Sequence, residues 1–441
     1  MSKFSLVFLV FFVFFITRLV FVDAVYGVYF YEVLYFLNPS SRWWGREIPN
    51  ISYSFIVVFL MLSCLFLNQR HRKNNNFIEL KESKLLLAIF FSFLMATFVA
   101  ANKEVHVKFL IEYVKLMVTM YAVYKLIDTS HKLNMAVFFY LVGAAYIGFE
   151  ATNVGRNSGI RVEGIGMVDS PDANTTAAAL VPAVPFLIYY FWLSPLKFKI
   201  IFIVLGAFVV NGLILINSRG AFLGGFVGVA YLMCVFWFTR FRFPKQRFYL
   251  VVIMVVGFLS FMQLTDSSFW NRMGTIDESS SADSEGSGGR RINFWLATFD
   301  LMNDFPLGVG IYGYQTLSPI YLKEESYFSD VKAVDGVKLR AVHSIWFQGL
   351  SEIGWHGMMF FLLLLISIKK KLALIRRLCI ESGRLKSFYF SYTLEASMLS
   401  FLVAGSFIDV FRAQVLYWLL IYCLCFICIS KRRFISESNK I

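Results

Sequence analysis

Arginine and histidine side chains stand beside long apolar runs at three places in this 441-residue chain. Arg219 lies in the stretch NSRGAFLGG, Arg290 and Arg291 lie in GGRRINFW, and His343 opens AVHSIWFQGLSEIGWHG. Guanidinium groups grip phosphates through paired hydrogen bonds, and a histidine that titrates near neutral pH can act as a general base. Together they predict a site that neutralises a phosphorylated leaving group while a base deprotonates an acceptor.

Each of these side chains also has a structural interpretation. An arginine at a membrane edge can extend its guanidinium to lipid headgroups, and a glycine such as Gly224 can serve only to pack helices. A histidine at a helix start is more often structural than catalytic. If the last segment is helical throughout, His343 shares a face with Phe347, while Gln348 and Glu352 share another face four residues apart.

A fourth polar segment, RVEGIGMVDSPDANTTAAALVPAVP, precedes another apolar run. Either Glu163 or Asp169 could orient an acceptor hydroxyl. Asp172 is placed to cap the following helix, and Pro182 and Pro185 to kink it. The side chains that we expect to bind substrate are Arg161, Glu163, Asp169, Arg290, Trp295, Gln348 and Glu352.

The elements that hold these side chains are predicted to be membrane helices. Hydrophobic residues make up 58% of the chain and mean hydropathy is +0.65, with several runs long enough to cross a bilayer. Such spans must satisfy their backbone internally, so the fold is expected to be all-α. The net charge of +14 lies in short loops between apolar runs, which marks topology and not a nucleic-acid surface.

Basic loops alternate with acidic or polar ones along the chain. The positive-inside rule places the basic loops in the cytoplasm and predicts about twelve spans, the first 37 residues supplying one crossing and a short re-entrant or interfacial helix. Residues 1–264 then form the N-terminal membrane helices, 265–342 one large periplasmic loop, and 343–441 the C-terminal helices with a basic tail. Within that loop, the Ser/Gly/acidic stretch at 279–289 is predicted to be flexible.

Several chemistries lack a motif in this sequence. There is no P-loop, no GxGxxG, no HExxH and no GxSxG, so nucleotide hydrolysis, redox chemistry and zinc proteolysis are not supported. No cofactor and no metal ion are expected. A transporter or lipid flippase would carry charges near mid-span and paired broken helices in two halves. The charges here stand at the predicted outer edge instead, which favours an enzyme.

At these segments the chain resembles the O-antigen ligase superfamily, which includes O-antigen ligases, O-antigen polymerases and protein O-oligosaccharyltransferases. HSIWFQGLSEIGWHG matches a pattern of His, Gln and Glu-x-Gly-x-x-Gly, and SRGAFLGG matches a Ser-Arg-Gly helix start. RINFW with FPLGVGIYGY matches an Arg…Trp…Pro-x-Gly-x-Gly segment, while VDSPDANTTAAAL is a looser match. YFLNPSSRWWGREIPN at 35–50 is similar to putative exosortase-associated O-glycosylation ligases.

The resemblance implies a polytopic glycosyltransferase of the GT-C type in the bacterial inner membrane, with its active site facing the periplasm. It implies metal-independent, inverting transfer from undecaprenyl diphosphate to lipid A core, a second lipid-linked repeat or a protein hydroxyl. Arg219 and Arg291 would contact the diphosphate, Arg290 being an alternative to its neighbour, and His343 would be the catalytic or phosphate-positioning histidine. Ligase action is the first expectation, and polysaccharide polymerisation the alternative.

Overall fold

The structure is a computed structural model built almost entirely of helices. It describes residues 1–67, 75–156, 161–170, 172–265, 267, 269–271, 274, 287–322 and 339–438. In this part of the chain, the only strand-like pairing is an isolated bridge between Met167 and Ser170, so the predicted all-α class is confirmed. The helices are α1 (Lys3–Phe21), α2 (Val25–Leu37), α3 (Tyr53–Leu67), α4 (Lys81–Met95), α5 (Lys103–Leu126), α6 (Ser130–Val154), α7 (Ala173–Leu180), α8 (Ala183–Leu193), α9 (Leu196–Ile216), α10 (Arg219–Phe238), α11 (Gln246–Leu264), α12 (Ser287–Asp304), α13 (Gly313–Tyr321), α14 (Ile345–Glu381), α15 (Leu385–Gly405) and α16 (Gln414–Ser438).

Seven helical segments of the described chain are long and apolar enough to cross a membrane. This confirms a multi-pass membrane protein; the figure of about twelve spans and the division at 264 and 342 stay predictions. The described part of 265–342 contains α12 and α13, whereas most of the stretch predicted to be flexible falls outside the described residues. The seven segments are Lys3–Phe21, Ser130–Val154, Ala173–Leu193, Leu196–Ile216, Arg219–Phe238, Gln246–Leu264 and Gln414–Ile435.

The first 37 residues form two helices of different character. Helix α1 is 19 residues long and continues through Arg18, whose guanidinium lies over the rings of Phe14 and Tyr26. Helix α2 has 13 residues, most of them buried, including the carboxyl group of Glu32. Helix α1 is one of the candidate spans, and the re-entrant or interfacial placement expected for the short helix stays a prediction.

The predicted cap at Asp172 and the interruption at Pro182 are both present, whereas Pro185 lies in the first turn of α8 and does not interrupt that helix. The carboxylate of Asp172 accepts the backbone N–H groups of Asn174 at 2.7 Å and Thr175 at 3.0 Å, which forms a capping box at the start of α7. The path of the chain is interrupted at Pro182, between α7 and α8, because proline lacks the N–H that would continue the ladder.

Small residues bring α10 and α15 into close contact. A Cβ atom on Gly224 would lie 2.4 Å from the carbonyl oxygen of Ser400, and one on Gly228 would lie 1.7 Å from the hydroxyl of the same serine. Membrane helices associate through such close backbone packing, since lipid provides no hydrophobic drive between them. Arg219, the first residue of α10, is therefore held on a helix that is fixed to its neighbour.

Helix α14 is broken at Gly354, where φ is +69°. The segment around Gly308 lies across the break: the N–H of Val309 donates to the carbonyl oxygen of Ser351 at 2.8 Å, and the N–H of Trp355 donates to that of Pro306 at 3.2 Å. Backbone groups freed inside a membrane protein need partners from elsewhere in the chain. The Pro-x-Gly-x-Gly stretch and the Glu-x-Gly stretch are thus hydrogen-bonded to each other at the break in α14.

Candidate active site

Three of the predicted residues come together where α7, α10 and α14 begin. Arg219 is the first residue of α10, Arg291 lies near the start of α12, and His343 lies two residues before α14. The charge of Arg219 acts on Arg291, and the charge of Arg291 acts on His343. Helix N-termini carry partial positive charge, which adds to that of the two arginines. This end of the bundle is therefore suited to bind an anion.

The two arginines repel each other across this site. The pKa of the half-buried Arg291 is lowered, first by burial and then by the positive charge of Arg219, while the carboxylate of Asp409 acts in the opposite direction. A negatively charged ligand between the guanidinium groups would relieve this repulsion.

His343 is not part of a helix, contrary to the expectation that it shares a helical face with Phe347. Its φ is +52°, in the left-handed region, and α14 begins at Ile345. Although the side chain is exposed to solvent, partial desolvation by the surrounding protein lowers the pKa of His343 to about 4. The positive charges of Arg291 and Arg340 also lower it, against the opposing effect of Asp172. The ring is therefore neutral at pH 7 and able to accept a proton.

Asp409 holds His343 in this conformation. The backbone N–H of Ser344 donates to Oδ1 of Asp409 at 3.0 Å, and the backbone of His343 is also hydrogen-bonded to the carboxylate. Burial raises the pKa of Asp409 to about 7, as does Glu352, while these backbone bonds and Arg412 lower it. A left-handed backbone costs a residue with a Cβ about 1–2 kcal/mol. These hydrogen bonds offset that cost, so they hold the backbone of His343 in this conformation and thereby fix the direction of the imidazole.

Gln348 and Glu352 fix the turn that carries Asp409. The amide of Gln348 donates to Glu352 at 3.2 Å and accepts the N–H of Phe411 at 2.8 Å. The other carboxylate oxygen of Glu352 accepts Nε–H of Arg412 at 3.0 Å. The predicted i, i+4 pairing is confirmed, and both side chains are buried. Their observed partners are protein groups, so the geometry supports a positioning role, and direct substrate binding by them stays a prediction.

Trp295 holds the segment before His343 from the other side. Its indole N–H donates to the carbonyl oxygen of Val342 at 3.2 Å, and its ring stacks on Phe347 at a centroid distance of 5.5 Å. The ring of Phe294 lies 6.4 Å from the imidazole. Arg291 lies in the site, whereas the side chain of Arg290 lies outside the described part of the structure, so the choice between the two arginines stays a prediction.

Residues 203–362 match the family model described as O-Antigen ligase. The chain carries an O-antigen ligase domain. The matched segment contains Arg219, Arg291 and His343, so the predicted resemblance to the O-antigen ligase superfamily is confirmed over residues 203–362. No curated protein matches the chain. The closer likeness to exosortase-associated ligases stays a prediction.

Three predicted binding residues precede the ligase domain and have other partners in the structure. Arg161 and Glu163 form an ion pair of 2.5 Å in which the Glu163 side chain is exposed. Asp169 accepts the hydroxyl of Tyr35 and, at 2.7 Å, the backbone N–H of Gln414, so it joins α2 to the start of α16. The geometry gives Asp169 a structural role, and acceptor binding by these residues stays a prediction.

Charged residues near the ligase domain's histidine were missed in the sequence. Asp409 and Arg412 belong to the short loop IDVFRA, and Arg340 immediately precedes the segment that contains His343. A signal was present: an aspartate and an arginine between two apolar runs, on the side where the basic loops are not expected. The connection of Asp409 to His343 depends on a contact between distant parts of the chain, the 65-residue separation of Ser344 and Asp409.

Proposed function

We propose that this site transfers a glycan from undecaprenyl diphosphate to an acceptor hydroxyl at the periplasmic face of the bacterial inner membrane. The observation that carries the proposal is the convergence of Arg219, Arg291 and a neutral His343, two of them from different helices, inside an O-antigen ligase domain. This domain supports ligase-type or polymerase-type activity. No step requires a metal ion or cofactor.

In the proposed reaction, His343 acts as the general base, and the two arginines stabilise the charge of the leaving group. A nitrogen of the neutral His343 takes the proton of the acceptor hydroxyl as its oxygen attacks the anomeric carbon. The bond from that carbon to the diphosphate oxygen breaks, the electron pair leaves with the phosphate, and attack from the opposite side inverts the carbon. Arg219 and Arg291 neutralise the departing charge. Although His343 is a weak base in the empty site, the bound diphosphate raises its pKa, because an anion stabilises the imidazolium.

Single alanine variants of Arg219, Arg291 and His343 test the proposal in a strain that lacks the gene. Each should build less surface glycan than wild type at equal membrane levels, with an in-vitro rate lower by about 10²–10³, the usual cost of removing one group that stabilises transition-state charge. Arg240→Ala and His131→Ala, at exposed positions outside the site, are the matched controls. Full glycan from all three site variants would refute the proposal.

The three possible acceptors are distinguished by the glycan intermediate that the deletion strain accumulates. Undecaprenyl-linked polymer indicates a ligase that acts on lipid A core, whereas undecaprenyl-linked single repeats indicate a polymerase. A changed glycoprotein profile with normal lipopolysaccharide indicates a protein acceptor. We favour the ligase, because the ligase-domain match runs through the buried Gln348–Glu352 pair that positions the histidine.

A further inference from the structure

The loop between α2 and α3 has a tightly constrained backbone conformation and takes no part in the proposed reaction. Asn38 ends α2 in the left-handed conformation with φ of +37°, and Pro39 starts a tight 3₁₀ turn. A Cβ atom on Gly45 would lie 2.0 Å from the carbonyl oxygen of Pro39, so the chain closes on itself only with glycine there. The Asn-Pro and aromatic-Gly of this segment therefore shape a compact loop.

The buried side chain of Arg42 makes this loop rigid. Its guanidinium donates to the carbonyl oxygens of Leu37 at 2.7 Å, Phe36 at 3.0 Å and Ile165 at 2.5 Å. These bonds connect the end of α2 to the 161–170 segment. Because three carbonyl groups, in two buried hydrogen bonds and one part-buried one, depend on one cation, the loop is held in one arrangement before any ligand arrives.

Behind the loop lies a cavity of about 160 Å³. Its floor includes the buried rings of Tyr31, Tyr35 and Tyr53, and its rim carries the exposed polar side chains of Asn50 and Ser52. One water needs only about 10–15 Å³ by this measure, so the space accepts a ligand of many atoms. Of the residues that the structure describes, none that lines the cavity is charged.

Polar groups in the cavity are available to a ligand. The side-chain oxygen of Gln414 accepts the hydroxyl of Tyr31 at 3.0 Å, while its amide N–H groups donate to none of the described residues. An anion would lack a cationic partner here, and a lipid tail would leave these amides and hydroxyls unsatisfied. A neutral molecule with hydroxyl groups and an apolar face fits both the amides and the tyrosine rings, and a sugar ring has this chemistry.

The cavity is connected to the catalytic cluster through a short piece of chain. The backbone N–H of Gln414 donates to the carboxylate of Asp169, and Gln414 lies five residues after Asp409, which holds His343. Five residues span at most about 18 Å when fully extended. A glycan with its reacting end at the histidine can therefore place another of its sugars in this cavity.

We propose that this cavity is a subsite for an uncharged sugar unit of the glycan substrate, an inference that rests on the proposed glycosyl transfer. The sugar belongs either to the acceptor glycan or to the lipid-linked donor glycan. In both cases, the tyrosine rings contact its apolar face, and Gln414 and Asn50 hydrogen-bond to its hydroxyls.

Substitution of Ser52 by tryptophan at the rim tests the subsite, with Ser382→Trp, at an exposed position outside the cavity, as the control for the bulky residue. The purified full-length protein is assayed with undecaprenyl-linked glycan as donor and with the acceptor that the deletion strain identifies, each varied in turn. The Ser52→Trp variant should raise one KM about tenfold, equivalent to about 1.4 kcal/mol of lost binding, with kcat retained. The Ser382→Trp variant should match wild type.

The two KM values identify the source of the sugar. A raised KM for the acceptor assigns the subsite to the acceptor glycan, and a raised KM for the donor assigns it to the donor glycan. Unchanged KM values, or a loss of kcat alone, would overturn the inference. Failure of the proposed function is seen separately, since the wild-type protein would then transfer no glycan at all.

Discussion

Replacing Asp409 by alanine should release the backbone of His343 from its left-handed conformation. The carboxylate accepts the N–H of Ser344 at 3.0 Å and is also bonded to the backbone of His343. At about pH 8, above the pKa of Asp409, the carboxyl is ionised, and a hydrogen bond to a charged group contributes about 1.5–3 kcal/mol. The left-handed conformation that it supports costs about 1–2 kcal/mol. Losing the carboxylate shifts the histidine to other conformations, so kcat/KM should fall about ten- to hundredfold.

The assay is single-turnover glycan transfer by the purified protein, with thermal unfolding measured on the same samples. Asp409→Asn retains a side-chain oxygen acceptor and should lose less, within about tenfold, because a neutral hydrogen bond contributes about 1 kcal/mol. Asp300→Ala, at an exposed position of α12, should behave as wild type.

A double variant decides whether Asp409 acts through the histidine. If it does, Asp409→Ala should lower the rate no further in a protein that already carries His343→Ala, because the two residues act as one unit. Additive losses would show that Asp409 has another role and would refute the reasoning. Full activity of Asp409→Ala alone would do the same.

Three further outcomes follow from the structure. Gly354→Ala should lower the Tm more than Gly383→Ala does. Both glycines have positive φ, but only at Gly354 would the new Cβ lie 2.4 Å from the backbone of Leu307. Equal shifts in Tm would argue against the close packing of the Gly308 segment on the break in α14. Lowering the pH from 6.5 to about 4 should lower the Tm of wild type more than that of His343→Gln. The pKa of His343 is lowered to about 4 in the folded protein, so the unfolded chain binds the proton first and is favoured as the pH falls. Parallel curves of Tm against pH would contradict this. Gly228→Leu should reduce membrane levels, as even a Cβ there would lie 1.7 Å from a serine hydroxyl of α15, and unchanged levels on an immunoblot would show that α10 can move away.

The sequence by itself determined the class of the protein and the residue types of its site. Run length and loop charge are local properties, so they predicted an all-α membrane protein without any contact being known. The capping role of Asp172 and the break at Pro182 also follow from neighbouring residues. The motifs around Arg219, Arg291 and His343 were sufficient to predict the O-antigen ligase superfamily.

Only the tertiary structure decided how the site is held. His343 was expected on a helix, but Asp409, distant in the chain, keeps its backbone out of helical geometry. The sequence predicted that Gln348 and Glu352 bind substrate, which stays a prediction, whereas their burial against the 409–412 turn is visible only in the structure. The physical reason is that a buried polar group must find a partner, and that partner is set by which helices pack together, whereas a sequence shows only the group.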